Sequence, residues 1–267
     1  MAAVEATLNY LAPMDERPRY YTFAPPEGTP WRNTHGDRQK VRVYDARELA
    51  APSLDVEGFA LARFEPKAFD AYDPGAVKRM HYPEVEALVA RATGATRVLA
   101  FDHNVRHAGS ARRDDLSQAP VHFVHNDYTL GSGPQRVRDL VGGDEAVALL
   151  RRRFAVINVW RPLVGPVESN PLAFCDASSM RPDDFVATDL RYPERTGEIY
   201  SILFRPEHRW YYYPAMRADE ALLLKCYDSD PARAGFTAHT AIDPPDTPED
   251  AAPRQSIEVR TLAFFQP

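Results

Sequence analysis

The chain has 267 residues, of which 44% are hydrophobic and 26% charged, and its formal net charge is −6. That composition supports a sizeable globular core and argues against disorder as the main state. Lys and Arg are scattered rather than gathered into a stripe that could neutralise successive phosphates, so nucleic acid is not an expected partner.

In chain order, the stretch to about residue 70 carries short extended runs (Tyr20–Phe23, Val41–Tyr44, Phe59–Phe64) broken by Pro-rich turns, and predicts an irregular β extension. Residues 74–93 place Val77, Met80, Val85, Leu88 and Val89 at helical spacing, and Arg97–Phe101 follows as a short strand. From residue 121 onward the pattern is extended, at 121–129, 154–163, 171–177, 198–205, 208–215, 221–228, 235–242 and 256–265. Only 134–153 reads as helix, with Arg151, Arg152 and Arg153 complementing its C-terminal dipole. Eight such strands predict a mainly β fold, a double-stranded β-helix or cupin-like jelly roll with flanking helices and an interior able to hold a small molecule. One domain is expected, with 1–95 as extension and helix and 96–267 as the core; the acidic, Pro-rich 243–253 joins the last two strands.

Cys175 and Cys226 are too few for a disulfide framework and lack zinc-knuckle spacing, so they read as buried thiols. No basic start leads into an apolar leader and no run nears the roughly 18 apolar residues of a membrane helix, so a cytoplasmic location without a membrane partner is expected.

His125-Asn126-Asp127 is the first chemically informative site. Residues two apart in a strand project to one face, so an imidazole and a carboxylate there can grip one ion, although taken alone the pair is better explained as a surface His beside a turn Asp. His239 lies in the penultimate predicted strand, which a jelly roll can return beside the first. Two imidazoles and one carboxylate occupy one face of an octahedral iron(II) and leave positions open for a cosubstrate and dioxygen. Fifteen positions on, Arg254 and Ser256 share a strand face where guanidinium and hydroxyl can bind one carboxylate. Arg260 shares that parity and is a second candidate anchor if the register differs.

In this order, His125-x-Asp127, His239 and Arg254-x-Ser256 resemble the iron and 2-oxoglutarate pattern of the dioxygenase superfamily. Asn158-Val-Trp-Arg-Pro-Leu, Pro171-Leu-Ala-Phe-Cys-Asp, His208-Arg-Trp-Tyr-Tyr, Tyr227-Asp-Ser and Arg254-Gln-Ser-Ile-Glu-Val-Arg are similar to the CmcJ/AsaB-type hydroxylase and desaturase family over roughly 95–265. The resemblance implies Fe(II) and 2-oxoglutarate as cofactors. It also implies hydroxylation or desaturation of a small secondary-metabolite intermediate, a carboxylic acid or amino-acid-derived compound, with dioxygen as co-reactant. Arg254 and Ser256 would fix the distal carboxylate of 2-oxoglutarate.

Other residues compete for these roles. Arg161, inside an apolar strand, requires an anionic partner: Glu168 or Glu258 if structural, a substrate or 2-oxoglutarate carboxylate if functional. His122 faces away from His125; His103 and His107 precede a polar, Arg- and Asp-rich loop that reads as solvated, with a substrate gate as the alternative; His208 belongs to an aromatic core strand; Asp228 is a reserve ligand at a strand end. Two further functions fit: an iron oxidase that needs no 2-oxoglutarate, and a cupin-like module that binds a metal or ligand without catalysis.

Overall fold

The computed structural model describes residues 1–65, 67–109 and 117–266. Its strands are β1 (Ala3–Leu11), β2 (Arg19–Tyr21), β3 (Gly36–Asp45), β4 (Phe59–Arg63), β5 (Arg97–His107), β6 (Ser117–Gln118), β7 (His125–Asn126), β8 (Phe154–Pro162), β9 (Leu172–Cys175), β10 (Phe185–Arg191), β11 (Thr196–Ile202), β12 (Trp210–Tyr212), β13 (Glu220–Asp228), β14 (His239–Ala241) and β15 (Gln255–Phe264). They form a nine-stranded sheet, β1-β3-β12-β9-β14-β7-β11-β10-β2, and a six-stranded sheet, β4-β13-β8-β15-β5-β6. The predicted jelly roll is therefore present, with its eight expected strands divided five and three between the sheets.

The three are β8, β13 and β15, and their neighbours β4 and β5 come from the N-terminal part of the chain. β1 was not expected, and it pairs along its whole length with β3. β10 was also not expected; its burial alternates weakly and it pairs with β11. The expected helix at 134–153 is two helices, α3 (Ser132–Leu140) and α4 (Gly143–Leu150), because Gly142 and Gly143 take φ of 71° and 54°, where the absence of a Cβ removes the steric penalty. Arg153 does more than complement a dipole: it pairs with Asp228 and Asp55.

All nine residues of β8 are buried, because both faces of its sheet are covered. Phe154, Val156 and Trp160 point between the sheets with Leu222, Leu224 and Leu262. Ala155, Ile157 and Val159 pack outward against Val85, Leu88 and Val89 of α2 (Tyr82–Thr93). Ahead of α2, α1 (Pro74–Ala76) leads into a π turn at Val77–His81. A bulge displaces the β5–β15 register between Arg260 and Thr261, so β5 changes phase near Phe101. On one side of it Leu99 and Phe101 pack between the sheets; on the other, Val105 faces the helix while Asp102 and Arg106 turn to the inner side.

Asp228 is no metal-ligand candidate in the fold. Its carboxylate is fully buried, takes Lys225 Nζ at 2.5 Å and Arg153 Nη2 at 2.8 Å, and accepts from the backbone N of Asp230. Lys225 itself is 1% exposed, so removing its acid partner leaves a buried ammonium undercompensated. Asp228→Ala is therefore expected to lower unfolding free energy by about 3–5 kcal/mol in urea titrations, while iron(II) affinity of the folded protein stays unchanged.

Candidate active site

His239 is the direct antiparallel partner of His125, β14 against β7. Opposite residues on one sheet face bring their side chains together, and the two imidazole centroids are 4.5 Å apart. Asp127 follows His125 by two residues, and its Oδ1 lies 3.6 Å from His125 Nε2. One ligand atom from each of the three residues lies within 4.8 Å of the others. The sequence placed these residues together, and the fold does so through a two-residue strand held by β11 on one side and β14 on the other.

Each donor is pre-aimed. His125 Nδ1 sits 2.7 Å from the carbonyl of Phe123 and His239 Nδ1 3.0 Å from that of Thr237, so each Nδ1–H donates to backbone and each Nε2 keeps its lone pair for an ion. Asp127 Oδ2 accepts from Asn158 Nδ2 at 2.7 Å and Arg260 Nε at 2.9 Å, leaving Oδ1 to ligate. Burial opposes ionisation of Asp127, but Arg260 and the two imidazoles hold its pKa well below the usual carboxylate range. Burial, aided by the neighbouring His239, pushes His125 down to about 4, so its imidazole is neutral at physiological pH. Neutral imidazoles and an ionised carboxylate are the protonation states that metal ligation needs.

Between the two ligating segments, the buried Asn126 donates to the carbonyls of Tyr128 and Cys226 and accepts from Thr237 N. It ties both metal-facing segments to β13. Asn126 and Asn158 are positioning residues that motif reading passed over; the signal for Asn158 was an amide among the apolar inward-facing residues of its strand. Arg260 is corrected from cosubstrate anchor to carboxylate clamp, because its guanidinium is committed to Asp127, Asp102 and Glu258.

Arg254, the residue that leads into β15, and Ser256, within it, follow from the same side of the centre. Arg254 lines, with Trp160, Leu172, Thr240 and the two histidines, a narrow cavity between the sheets, and Ser256 follows it by two residues, with the same strand parity. Arg254 is 3% exposed, donates through Nη1 to the carbonyl of Asn170, and its Cζ lies 5.5 Å from the centre of the Trp160 ring. Its Nε and the Ser256 hydroxyl are buried without a partner. Burial and the nearby Arg106 lower the Arg254 pKa to about 9, still leaving a cation at neutral pH. Buried donors are rarely left unmet, and a planar guanidinium edge beside a hydroxyl suits a carboxylate. These residues fit a dicarboxylate whose far end is held there while its near end reaches the imidazoles.

Arg161 is not part of this cavity. The strand parity that sends Trp160 inward sends Arg161 to the helical side, where it lies 5.1 Å from the Phe64 ring centre and donates to His81 and to the carbonyl of Pro162. The acid acting on it is Glu84, not Glu168 or Glu258. The remaining histidines also have other roles. His122 meets Asp243, His103 meets Tyr82, and His208 is a core residue between Asp184 and Tyr10. The polar loop read as solvated, or else as a gate, falls largely in 110–116, outside the described residues.

The family model "Oxidoreductase/YMDC permease-like domain" matches residues 8–264. An Fe(II)/2-oxoglutarate-dependent dioxygenase of Aspergillus novofumigatus, nvfI, is 36% identical over 253 residues, covering 92% of this chain and 90% of that protein. The chain belongs to the iron(II)/2-oxoglutarate-dependent dioxygenases. Within them it falls among the hydroxylase/desaturase relatives, as with efuI of Hormonema carpetanum, which is 33% identical over 253 residues, with 85% of this chain and 84% of that protein covered. A solved structure of the iron and alpha-ketoglutarate-dependent endoperoxidase NvfI superposes with a TM-score of 0.89 at 31% identity, covering 99% of each chain. Fe(II) and 2-oxoglutarate are thus the cofactors of this dioxygenase.

The clamp on Asp127 has a measurable consequence. Outer-shell partners of a metal ligand typically influence affinity by 10–100-fold, so Asn158→Ala and Arg260→Gln are each expected to weaken cobalt(II) binding by roughly that factor. Competition titration of the purified proteins reads this directly, and wild-type affinity in both variants would contradict the clamp.

Proposed function

We propose that this dioxygenase hydroxylates or desaturates a small secondary-metabolite intermediate carrying a carboxylate or an amino-acid-derived group. In this reading His125, Asp127 and His239 hold iron(II), and Arg254 with Ser256 seats the distal carboxylate of 2-oxoglutarate. The observation that carries it is the pair of unmet buried donors two residues apart, Arg254 Nε and Ser256 Oγ, with Arg254 lining the cavity that also receives both imidazoles. A dianion spanning that cavity satisfies both ends at once.

When bound, iron(II) and 2-oxoglutarate supply oxygen activation, with 2-oxoglutarate converted to succinate and carbon dioxide. The chain's own contribution is orientation and exclusion. Phe123 and Thr237 carbonyls fix the imidazole rings, Asn158 and Arg260 restrict Asp127 to one ligating oxygen, and Trp160 and Leu172 keep the cavity dry. Arg254 selects a carboxylate of defined reach from the metal.

The reaction outcome has a second reading, favoured by the whole-chain likeness to an endoperoxidase. Mass analysis of products separates the two: one oxygen gained or two hydrogens lost supports hydroxylation or desaturation, whereas two oxygens gained supports endoperoxide formation. Oxygen uptake with substrate and iron(II) but without 2-oxoglutarate, and no succinate, would instead indicate an oxidase.

Anaerobic addition of iron(II) and 2-oxoglutarate is expected to produce a weak visible charge-transfer band. Arg254→Ala should raise the 2-oxoglutarate concentration needed for half the band on the order of 100-fold, the equivalent of about 2–3 kcal/mol for a charge-assisted contact. An unchanged titration midpoint would remove Arg254 from the cosubstrate site.

A further inference from the structure

A second, wider cleft of about 840 Å³ opens on the other side of Asp127 and Arg260. It includes neither Arg254 nor the imidazoles, so it reaches the metal carboxylate without entering the cosubstrate cavity. Its walls are partly apolar, from Tyr128, Leu190 and Ile199, and partly charged.

The charged groups are not equivalent. All four acids in the cleft already have partners: Asp102 takes Arg260, Asp127 takes Asn158 and Arg260, Asp139 takes the Gln135 amide, and Glu198 takes Arg17 and the Thr129 hydroxyl. Of the arginines, Arg260 is committed to those acids. Arg136 and Arg195 have no ion-pair partner among the described residues. Their guanidiniums instead lie over rings, Arg136 at 5.6 Å from the centre of Phe101 and Arg195 at 4.1 Å from that of Tyr192. Arg136 Nε is buried with no hydrogen-bond partner. Packing against a ring leaves the edge of a guanidinium, where its N–H donors point, available to an oxygen anion. An ammonium ligand would find only acids that are already engaged.

We infer that this cleft is the substrate site and that it selects an anionic oxygen group, a carboxylate or enolate, through Arg136 assisted by Arg195. The apolar body of the substrate lies against Tyr128, Leu190 and Ile199, and its reacting carbon faces Asp127. This deepens the proposed function and rests on its assignment of the metal ligands.

The test compares two probes of one shape and different charge, biphenyl-4-carboxylate and biphenyl-4-carboxamide. Calorimetry is run anaerobically on protein loaded with iron(II) and 2-oxoglutarate, so that the cosubstrate cavity is filled. The carboxylate is expected to bind about tenfold more tightly than the amide, as a charge-assisted contact should. Arg136→Gln should bring the two within about twofold, and Arg195→Gln, at an exposed position that leaves folding intact, should reduce the preference about threefold. Equal binding in the unaltered protein, a preference unchanged in both variants, or no binding of either probe at millimolar concentration overturns the inference. The charge-transfer band keeps the two levels apart: if it forms normally while the carboxylate preference is absent, only the cleft assignment falls; if it fails to form in the unaltered protein, the cosubstrate assignment falls.

Discussion

His239 lies opposite His125 in the antiparallel pair of β14 and β7, and that register decides where the metal donors meet. Side chains alternate with period two along a strand, so a slip of one residue would turn His239 to the far face while His125 and Asp127 stayed in place. β7 is only two residues long and has little pairing of its own to resist such a slip. The resistance comes from Asn126, whose amide is hydrogen-bonded on both sides, to the β13 backbone and to the residue two before His239. A polar residue at 0% exposure is thus explained by geometry: it fastens the two metal-facing segments to each other.

The second organising line is the inner face of β15 and the residue that leads into it. Arg254, Ser256, Glu258 and Arg260 follow one another at period two, from the cavity lined by Arg254 to the Asp127 carboxylate. Positive charge brackets the cavity at both ends, with Glu258 between, accepting from Arg260. The arrangement keeps Asp127 ionised despite burial, and the same burial keeps His125 neutral. Asp127 and His125 therefore have the protonation that ligation needs before any ion arrives, which reduces the protons to be displaced on binding.

Much of this was legible from residues alone where the signal was local. His125-x-Asp127 on one strand face and Arg254-x-Ser256 on another are period-two patterns, and the eight strands after residue 121 could be read from aromatic and β-branched runs. Arg161 shows the limit: burial of an arginine in an apolar strand was evident, but two sheet faces were available and only the packing of α2 against one of them says that its partners are His81 and Glu84. Arg260 was ambiguous for a different reason, since the partner that claims it, Asp127, is 133 residues away. β1 was overlooked although Val4, Ala6, Leu8 and Tyr10 alternate with Glu5, Thr7 and Asn9, whereas β10 escaped because its burial barely alternates and its pairing with β11 makes it a strand. The extension of β5 past Phe101 escaped because its alternation reverses there.

That reversal lets β5 serve two layers at once. Upstream of the bulge its residues answer to one set of neighbours, and downstream the parity is exchanged, so that Asp102 braces Arg260 and Arg106 borders the cavity shared by Arg254 and the two imidazoles. Phe101 is the residue without a partner in β15, so removing it would restore a regular ladder with Asp102 still opposite Arg260 and Arg106 still opposite Ser256. The extra residue therefore adds an aromatic ring to the layer between the sheets while leaving the charged half of the strand where it stands.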